Sequence, residues 1–384
     1  MAKRRANGEG SIRKRSDGRW EGRYTAGRDP VTGKQIFKNV LGKTQAEVKD
    51  KLAEALDRVK KLNVIVSDKM TVIEWCELWL ETYGKPNMRP STYETYEGNL
   101  RLHVKPGIGD LPLNKVTTLV LQKFFNGLLK DGRIERKESE HQPRGLSVKT
   151  VSNIRTMLYS VFEKAVAEHL MLTNPVAGCK LPKREKQEMK TMPVEDLAKF
   201  FEEAKASGKL EFYYLDFSTG LRRGELLGLK WEDVDFEHST IAIKRQVIRV
   251  QGRIEEGPLK TKNAYRTIAV GEDVMGMLYD LKERMGGASP YLFPSPNGGP
   301  QDPDSVLPMF KRMLNRCGLE TMRFHDIRHT FATVALAEGV DYKTLSAMLG
   351  HYSVAFTLDT YAHVTDDMIH DAAEKVSGVM KNTI

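Results

Sequence analysis

The amino-acid sequence predicts a multidomain α+β protein. Three observations predict it: 384 residues exceed the usual size of one domain, short strand-like runs near the start give way to helical periodicity, and a charged segment near residue 180 interrupts the helical pattern. The expected parts are a small three-stranded β-sheet plus helix N-terminal domain, a helical second domain, and a mixed, mainly α third domain with a small antiparallel sheet. Their expected bounds are residues 1–66, 70–178 and 191–384, with an interdomain linker at 179–190.

The first expected domain follows from turn and cap signals. Its strand-like runs are separated by Asp17-Gly18 and by the sequence DPVTG at 29–33, both typical of turns. Thr44, followed three residues later by Glu47, forms a capping box, and apolar residues then recur at helical spacing. The segment is therefore predicted to be a three-stranded sheet closed by one helix. The predicted strands are Ile12–Arg15, Arg19–Ala26 and Gln35–Leu41.

The second expected domain is helical. Ser91 with Glu94 three residues later is a further capping box, and Ser147 is placed to cap another helix. Apolar residues recur at helical spacing in four segments. Four helices are predicted, with Trp75 and Trp79 in the core rather than on a base-stacking surface.

The third expected domain combines helices with a small sheet. A helix is expected to end at Thr219-Gly220, so that Arg222 lies just past it. The stretches 241–250 and 253–270 alternate as strands do, and the second of them predicts a hairpin with Lys260 near its turn. A short amphipathic tail helix is predicted over Met368–Met380.

Composition limits the class of function. The net charge of +9 favours a polyanionic partner, with nucleic acid first. Three widely separated cysteines imply neither a disulfide framework nor a metal knuckle. No apolar run reaches the roughly 18 residues of a membrane helix, and the basic start lacks the apolar region of a signal peptide. We therefore expect a soluble, cytoplasmic protein with no membrane partner. Gly42-Lys43-Thr44 ends like a P-loop but lacks the loop's first glycine, so no nucleotide site is predicted.

The stretch 323–363 holds candidate phosphate chemistry. His325 and Arg328 are three residues apart in a helical pattern, so both can reach one small anion. A guanidinium binds two phosphate oxygens at once, and an imidazole donates a hydrogen bond or moves a proton near neutral pH. Leu349-Gly350-His351 follows at a predicted helix end, and Tyr361 comes after it. A phenol can attack phosphorus and hold the phosphoryl group as an ester, so the set predicts a phosphate clamp with a nucleophile beside it.

These residues, together with two upstream motifs, resemble the tyrosine recombinase, or phage integrase, family. The matching motifs are HDIRHTFA from His325, LGH ending at His351, TYAH around Tyr361, TGLRRGE around Arg222 and LKTKNAYRTI around Lys260. The resemblance implies a site-specific DNA recombinase that cuts and rejoins strands through a 3′-phosphotyrosine, and so integrates and excises a mobile element such as a conjugative transposon. It implies no cofactor, because the bond energy is kept in the phosphotyrosine.

The resemblance also implies a role for each motif residue. The arginines would hold the non-bridging oxygens of the scissile phosphate, and His351 would hydrogen-bond the same group. His325 would accept or assist the proton of Tyr361, and Lys260 would protonate the departing 5′-oxygen. The implied catalytic residues are Arg222, Lys260, His325, Arg328, His351 and Tyr361.

Two neighbours compete with this assignment. Tyr352 is a rival phenol, but it adjoins His351 and has little room to approach the phosphate independently. His329 stands four residues after His325, as in some zinc sites, yet no third ligand is placed by motif. We therefore expect no metal, and we interpret His329 as a helix residue that borders the core.

Basic residues interleaved with aromatic ones mark candidate DNA contacts. By resemblance, 1–66 would bind arm sites, 70–178 would be the core-binding (SAM-like) domain, and 191–384 would be the catalytic domain. The cationic side chains of a sheet can contact DNA phosphates. Alternatively, lysines and arginines on a solvent-exposed edge sheet can serve to prevent aggregation, and they would give the same pattern. The candidates are Lys14, Arg15, Arg19, Trp20, Arg23, Lys85, Arg89, Lys149 and Arg155.

The expected partner is double-stranded DNA with core and arm sites at the element's ends. By resemblance the protein would assemble as a homotetramer on DNA, with an excisionase or a DNA-bending protein as a further partner. Two alternatives remain: type IB topoisomerase-like nicking and resealing, or a catalytically silent DNA-binding regulator. Joining of two different DNAs would separate the recombinase from the topoisomerase. Against the silent regulator, all six catalytic positions hold competent residue types.

Overall fold

The computed structural model describes residues 10–28, 35–65, 70–134, 143–184 and 189–361, together with Ser377 and Lys381. The chain divides into two compact units, Met1–Glu185 and Lys186–Ile384. The predicted tail helix at Met368–Met380 lies outside the described residues, apart from Ser377. In the described part of the chain no helix has the length and apolar character needed to span a membrane. The mixed α+β class predicted from the sequence is confirmed.

The first unit begins with an antiparallel sheet of three strands in the order β1-β2-β3. Helix α1 covers one face, where Val48 packs so closely that a Cβ at Gly22 or Gly42 would approach it within 3.0 Å. Small residues at these positions therefore let the helix lie against the sheet. The elements are β1 (Ser11–Lys14), β2 (Trp20–Arg28), β3 (Gln35–Gly42) and α1 (Gln45–Ile65).

The rest of the first unit is helical. Trp75 and Trp79 are buried as predicted, and Trp75 Nε1 donates to the carbonyl of Val161 at 3.0 Å. Ser147 caps α5 as predicted. The helices are α2 (Val72–Trp79, continued by the wider turn Leu80–Gly84), α3 (Pro90–Asn99, continued through Leu100–Gly109), α4 (Thr118–Asp131) and α5 (Val148–Ala167).

The predicted capping box at Ser91 and Glu94 is wrong. Helix α3 begins two residues earlier, at Pro90, with Arg89 in the cap position and no side-chain cap bond. Proline needs no N–H partner in the first turn of a helix, so it starts the helix without a polar cap. A capping box does occur at Thr71 and Glu74, which start α2.

The second unit surrounds a core rich in aromatic residues, among them Phe200, Tyr213, Phe310 and Phe324. Its strands form a three-stranded sheet of order β4-β5-β8 and a separate pair, β6-β7. The helices are α6 (Val194–Ala206), α7 (Leu210–Thr219), α8 (Arg223–Leu227), α9 (Glu272–Met285), α10 (Pro303–Arg316), α11 (Asp326–Ala337), α12 (Tyr342–Leu349) and α13 (Val354–Tyr361). The strands are β4 (Val234–Asp235), β5 (Thr240–Ile243), β6 (Gln246–Val250), β7 (Arg253–Gly257) and β8 (Arg266–Ala269).

Lys260 does not lie at the turn of a hairpin, contrary to the prediction. Strand β7 pairs with β6, whereas β8 pairs with β5, so residues 258–265 connect two different sheets. The periodicity of 253–270 identified strands but could not show which partner each would take, because pairing depends on the tertiary fold.

Two glycines end the helices α7 and α12, beside the sequence motifs around Arg222 and His351. Gly220 follows α7 with φ of 58°, and Gly350 follows α12 with φ of 63°. This left-handed conformation suits glycine and turns the chain sharply at the helix end. A Cβ on Gly220 would lie 2.5 Å from Phe331 Cδ1, so the position is also crowded.

We expect Gly220→Ala to lower the free energy of unfolding by about 3 kcal/mol, because the side chain adds a steric clash to the left-handed strain. Gly208→Ala is the matched control, since Gly208 has φ of 64° and nothing within 4 Å of its Cβ position. Gly208→Ala should lower the free energy of unfolding by only about 1 kcal/mol, from the left-handed backbone conformation alone. Urea unfolding of the two variants measures the difference, and equal losses would show that the packing against Phe331 has no energetic weight.

Candidate active site

Arg328 joins the ends of two helices. Its Nη1 donates to the carbonyl of Gly220 at 2.8 Å, and its Nη2 donates to the carbonyl of Leu349 at 2.6 Å. The last carbonyls of a helix lack partners within the helix and carry the negative end of its dipole, so both acceptors suit a cation. The residue is 2% exposed. Burial and the like charge of Arg222 lower the pKa of Arg328 to about 9, which still leaves it charged at neutral pH.

Arg222 reaches the same turn from another direction. Its Nη2 donates to the carbonyl of Gly350 at 3.3 Å, and its Nη1 donates to Glu225 Oε1 at 2.7 Å. The side chain is 31% exposed, so it keeps access to solvent. The two arginines that the sequence singled out therefore meet at Leu349-Gly350, directly before His351.

Glu225 forms ion pairs with two arginines of this cluster. It is 2% exposed and lies between Arg222 and Arg266, whose Nη2 donates to Glu225 Oε2 at 3.0 Å. Burial alone would raise the pKa of Glu225, but the charges of Arg266 and Arg222 outweigh burial and lower it. The carboxylate is thus ionised and orients both guanidiniums.

Arg266 is a component that the sequence analysis did not single out. Its Nε donates to the carbonyl of Met348 at 2.6 Å, so it is a further cation bonded at the end of α12. Its position in the RTI end of the lysine motif was visible in the sequence, but its contacts with Glu225 and Met348 depend on the fold.

His351 is buried beside the arginines. Its Nδ1 lies 2.8 Å from Thr357 Oγ1, which fixes the ring and directs Nε2 away from that contact. Burial, followed by the charges of Arg328 and Arg222, lowers the pKa of His351 to about 3. The imidazole is therefore neutral at physiological pH.

His325 occupies the cap position of α11 and is exposed. Surrounding protein atoms still desolvate the ring in part, and His329 and Arg328 add like charge, so the pKa of His325 falls to about 4. It too is neutral at physiological pH in the DNA-free protein.

The loop that carries Lys260 is tied to the His351 turn. Asn263 Nδ2 donates to the carbonyls of His351 at 3.2 Å and Tyr352 at 3.3 Å. Gln246 Nε2 donates to the carbonyl of Pro258 at 2.7 Å and fixes the start of the same loop. Lys260 is exposed in this loop, three residues before Asn263.

Tyr361 contacts a histidine other than the predicted one. Its hydroxyl lies 2.8 Å from Nδ1 of His329, and the rings meet edge to face with centroids 5.7 Å apart. His329 was interpreted as a core-bordering residue, and the structure gives it this additional contact. Tyr361 is only 1% exposed, whereas Tyr352 is 69% exposed. Burial raises the pKa of Tyr361 to about 12, with Arg328 opposing the shift.

The N-terminal candidates are divided between the two faces of the first sheet. Lys14 pairs with Trp20 in the strand register, and both side chains project to the face that α1 covers. Arg23 projects to the open face, where its guanidinium lies 4.1 Å from the ring centre of Phe37.

The remaining two N-terminal candidates lie at the β1–β2 turn. Arg15 and Arg19 lie 3.4 and 2.8 Å from Asp17. Buried Glu21 on the open face pairs with Arg13 at 2.8 Å and accepts a hydrogen bond from Asn39. The sequence analysis missed this carboxylate and amide, although alternate spacing along β2 places Glu21 on the face of Arg23.

The helical candidates do not form one cluster of contacts. Lys85 pairs with Glu81 at 2.9 Å, and Arg89 occupies the cap position before α3. Lys149 is exposed in the first turn of α5, and Arg155, six residues later in the same helix, has a buried Nε without a hydrogen-bond partner. Within the described ranges no group of three or more acidic, histidine or cysteine residues could hold a metal ion.

Family models match two parts of this chain. Residues 188–368 match the phage integrase family, and residues 71–129 match the N-terminal SAM-like domain of phage integrases. A tyrosine recombinase XerC-like protein of Caldanaerobacter subterraneus subsp. tengcongensis is 30% identical, and the alignment covers 92% of this chain and 94% of that protein. The ICEBs1 integrase of Bacillus subtilis is 25% identical over 96% of this chain and 100% of the relative.

Solved structures resemble the fold. The Tn1549 transposon integrase in complex with transposon right end DNA superposes with a TM-score of 0.67 at 23% identity, covering 80% of this chain and 100% of that one. A lambda integrase tetramer bound to a Holliday junction superposes with a TM-score of 0.57 at 22% identity, covering 89% and 95%. At these identities the likeness concerns the fold.

We expect Glu225→Gln to lower the free energy of unfolding by about 3 kcal/mol, because it leaves the buried Arg266 without a counter-charge. Glu203→Gln is the control: it removes a surface partner of Arg316 at 3.0 Å and should change stability much less. Urea unfolding at pH 7 compares the two. Equal small losses would mean that the arginine cluster does not need this carboxylate.

Protonation of His351 should destabilise the protein in acid. Its folded pKa of about 3 lies below the value of about 6.5 in an unfolded chain, so the unfolded state binds more protons as the pH falls between them. Stability is therefore lost from about pH 6.5 downward. His351→Asn removes this titration, so its melting temperature should fall less between pH 7 and pH 5 than that of the wild type. Parallel slopes would contradict the buried neutral imidazole.

Proposed function

Since the chain belongs to the tyrosine recombinase, or phage integrase, family, we infer that it is a site-specific DNA recombinase, a strand transferase that cuts and rejoins DNA. Its substrate is double-stranded DNA. We propose further that it is the integrase of a mobile element in a bacterial cell and acts in the cytoplasm. This proposal is supported by its similarity over 96% of its length to the ICEBs1 integrase.

One observation carries the catalytic assignment. Arg222 and Arg328, which are 106 positions apart in the sequence, donate to adjacent carbonyls at Gly350 and Leu349. Two planar guanidiniums at one buried turn form a fork for the two non-bridging oxygens of a phosphodiester. They would stabilise the negative charge that builds on those oxygens in the transition state.

Tyr361 is the proposed nucleophile. Its oxygen forms a bond to phosphorus as the bond between phosphorus and the 5′-oxygen breaks, which leaves a 3′-phosphotyrosine and a 5′-hydroxyl. Lys260 donates the proton that the departing oxygen needs. The 5′-hydroxyl of a second strand then attacks the phosphotyrosine, and the bond energy passes to the new strand.

His325 and His351 are assigned to binding the phosphate through hydrogen bonds, because neither imidazole carries a positive charge at pH 7. Both are neutral at pH 7, so each can donate one N–H to a phosphate oxygen. His351 is held by Thr357, and His325 is exposed at the start of α11, where the helix dipole also favours an anion.

We propose a division of labour along the chain. The first sheet binds arm sites, residues 70–178 bind the core site, and 191–384 carry out the reaction after a linker at 179–190. The cationic candidates named above would contact the DNA backbone. The lambda integrase tetramer on a Holliday junction supports assembly of four copies at synapsis. We propose an excisionase or DNA-bending protein as a further partner.

A nicked duplex of the element's end tests the assignment, because cleavage releases a short fragment and prevents religation. The wild type should form a covalent protein–DNA adduct in EDTA without ATP. Tyr361→Phe should lose the adduct, since the attacking oxygen is gone.

Tyr352→Phe is the matched control and should keep the adduct, since the exposed ring of Tyr352 packs beside Phe356 at 5.6 Å. An adduct that depends on Tyr352 would refute the nucleophile. A wild type that binds this DNA tightly without forming an adduct would favour the silent regulator, and resealing without joining two DNAs would favour a topoisomerase.

A further inference from the structure

His329 is in direct contact with the atom that starts the proposed reaction. We propose that His329 is a further catalytic residue: its Nδ1 accepts the phenolic proton of Tyr361 as the oxygen attacks phosphorus, and returns it when the tyrosine departs. The inference rests on the proposed function. It concerns a residue outside the six that the family resemblance suggested.

The geometry of the pair is that of a donor and a base. The 2.8 Å separation between Tyr361 Oη and His329 Nδ1 is a normal hydrogen-bond length, and proton transfer requires this kind of contact. His325 lies beside His329, with ring centroids 5.1 Å apart and planes nearly perpendicular. His329 therefore stands between the exposed histidine and the nucleophile.

The surroundings keep the pair in the protonation states that the step needs. Burial, together with Arg323 and Arg328, lowers the pKa of His329, while Asp326 opposes the shift. The imidazole is therefore neutral, with a nitrogen able to accept. Tyr361 has its pKa raised to about 12, so it retains its proton until attack and needs an acceptor at that moment.

Arg328, which is proposed to bind the phosphate, and His329, the proposed base, project from different sides of helix α11. Adjacent residues on a helix point about 100° apart, so Arg328 and His329 cannot compete for the same partner. Arg328 donates toward Gly220 and Leu349, and His329 contacts Tyr361 on α13. One turn of helix thus holds both Arg328 and the proposed base, and the base contacts the attacking oxygen.

The proton balance closes over a full cycle. In cleavage, Tyr361 gives its proton to His329 and Lys260 gives one to the 5′-oxygen. In rejoining, the incoming 5′-hydroxyl gives its proton to Lys260, and His329 returns its proton to the tyrosine. No proton has to come from bulk water, which suits a phenol that is 1% exposed.

The test separates nucleophile activation from leaving-group protonation. The full-length protein is mixed with the nicked duplex in single-turnover conditions, with either oxygen or sulfur at the bridging 5′ position. A thiolate leaves without a general acid, because a thiol pKa is about 8.5. With sulfur at the bridging position, the rate of adduct formation by Lys260→Ala should therefore rise toward the wild-type rate. The rate of a His329 variant, relative to the wild type, should be the same with sulfur as with oxygen.

His329→Asn is the informative variant, because its Oδ1 takes the position of Nδ1 and can keep the hydrogen bond but cannot hold the proton. Both His329→Asn and His329→Ala should form the adduct about 100-fold more slowly than the wild type with either substrate. DNA affinity and the melting temperature of His329→Asn should stay at wild-type values, which excludes a folding defect.

Three outcomes would overturn the proposal. A wild-type rate in His329→Asn would mean that the contact only positions the phenol. A faster rate in His329→Ala would mean that the contact restrains it. Rescue of His329→Asn by the sulfur substrate would mean that His329 assists protonation of the departing 5′-oxygen and does not deprotonate Tyr361. These results leave the proposed function intact, whereas the absence of any wild-type adduct would overturn both.

Discussion

Guanidiniums bonded to the carbonyl ends of two helices are the interaction on which the catalytic unit depends. Each helix ends at a left-handed glycine, Gly220 or Gly350, which leaves its last carbonyls without helical partners. A buried arginine needs acceptors, and these carbonyls provide them together with the negative end of the helix dipole. The two glycine turns and the two arginines therefore form one arrangement: the turns present carbonyl acceptors, and Arg222 and Arg328 donate to them.

The buried carboxylate of Glu225 reduces the electrostatic repulsion among the arginines of this cluster. Three arginines meet near Gly350, and like charges in a poorly solvated place raise the free energy of the folded state. The buried carboxylate offsets part of this cost by pairing with Arg222 and Arg266. Burial and the like charge of Arg222 lower the pKa of Arg328 to about 9. In the proposed reaction, the scissile phosphate would add negative charge beside these arginines.

Much of this arrangement could be predicted from sequence because it depends on local patterns. Helix periodicity and turn residues were sufficient for the fold class, and the family resemblance was needed to group Arg222 with Arg328. What failed or was missed depends on contacts between distant segments. The partner of β8 could not be predicted from alternation, and the contact of His329 with Tyr361 bridges 32 positions. In the N-terminal sheet, charge alone did not show which side of each strand α1 would cover, and so Lys14 and Arg23 were grouped although they face opposite ways.

The double role of Arg328 bears on how such a protein can change through evolution. Its planar side chain links α7 to α12 by two separate N–H groups, which the single ammonium of a lysine, on a flexible stem, cannot reproduce with the same fixed geometry. Selection for stability alone would preserve it even in a lineage that had abandoned recombination. Tyr361 differs, because in the described part of the chain its hydroxyl bonds to His329, and a phenylalanine could fill much of the same volume. Under the proposed assignment of Tyr361 as the nucleophile, the presence or loss of that one oxygen among descendants would record whether strand exchange is still in use.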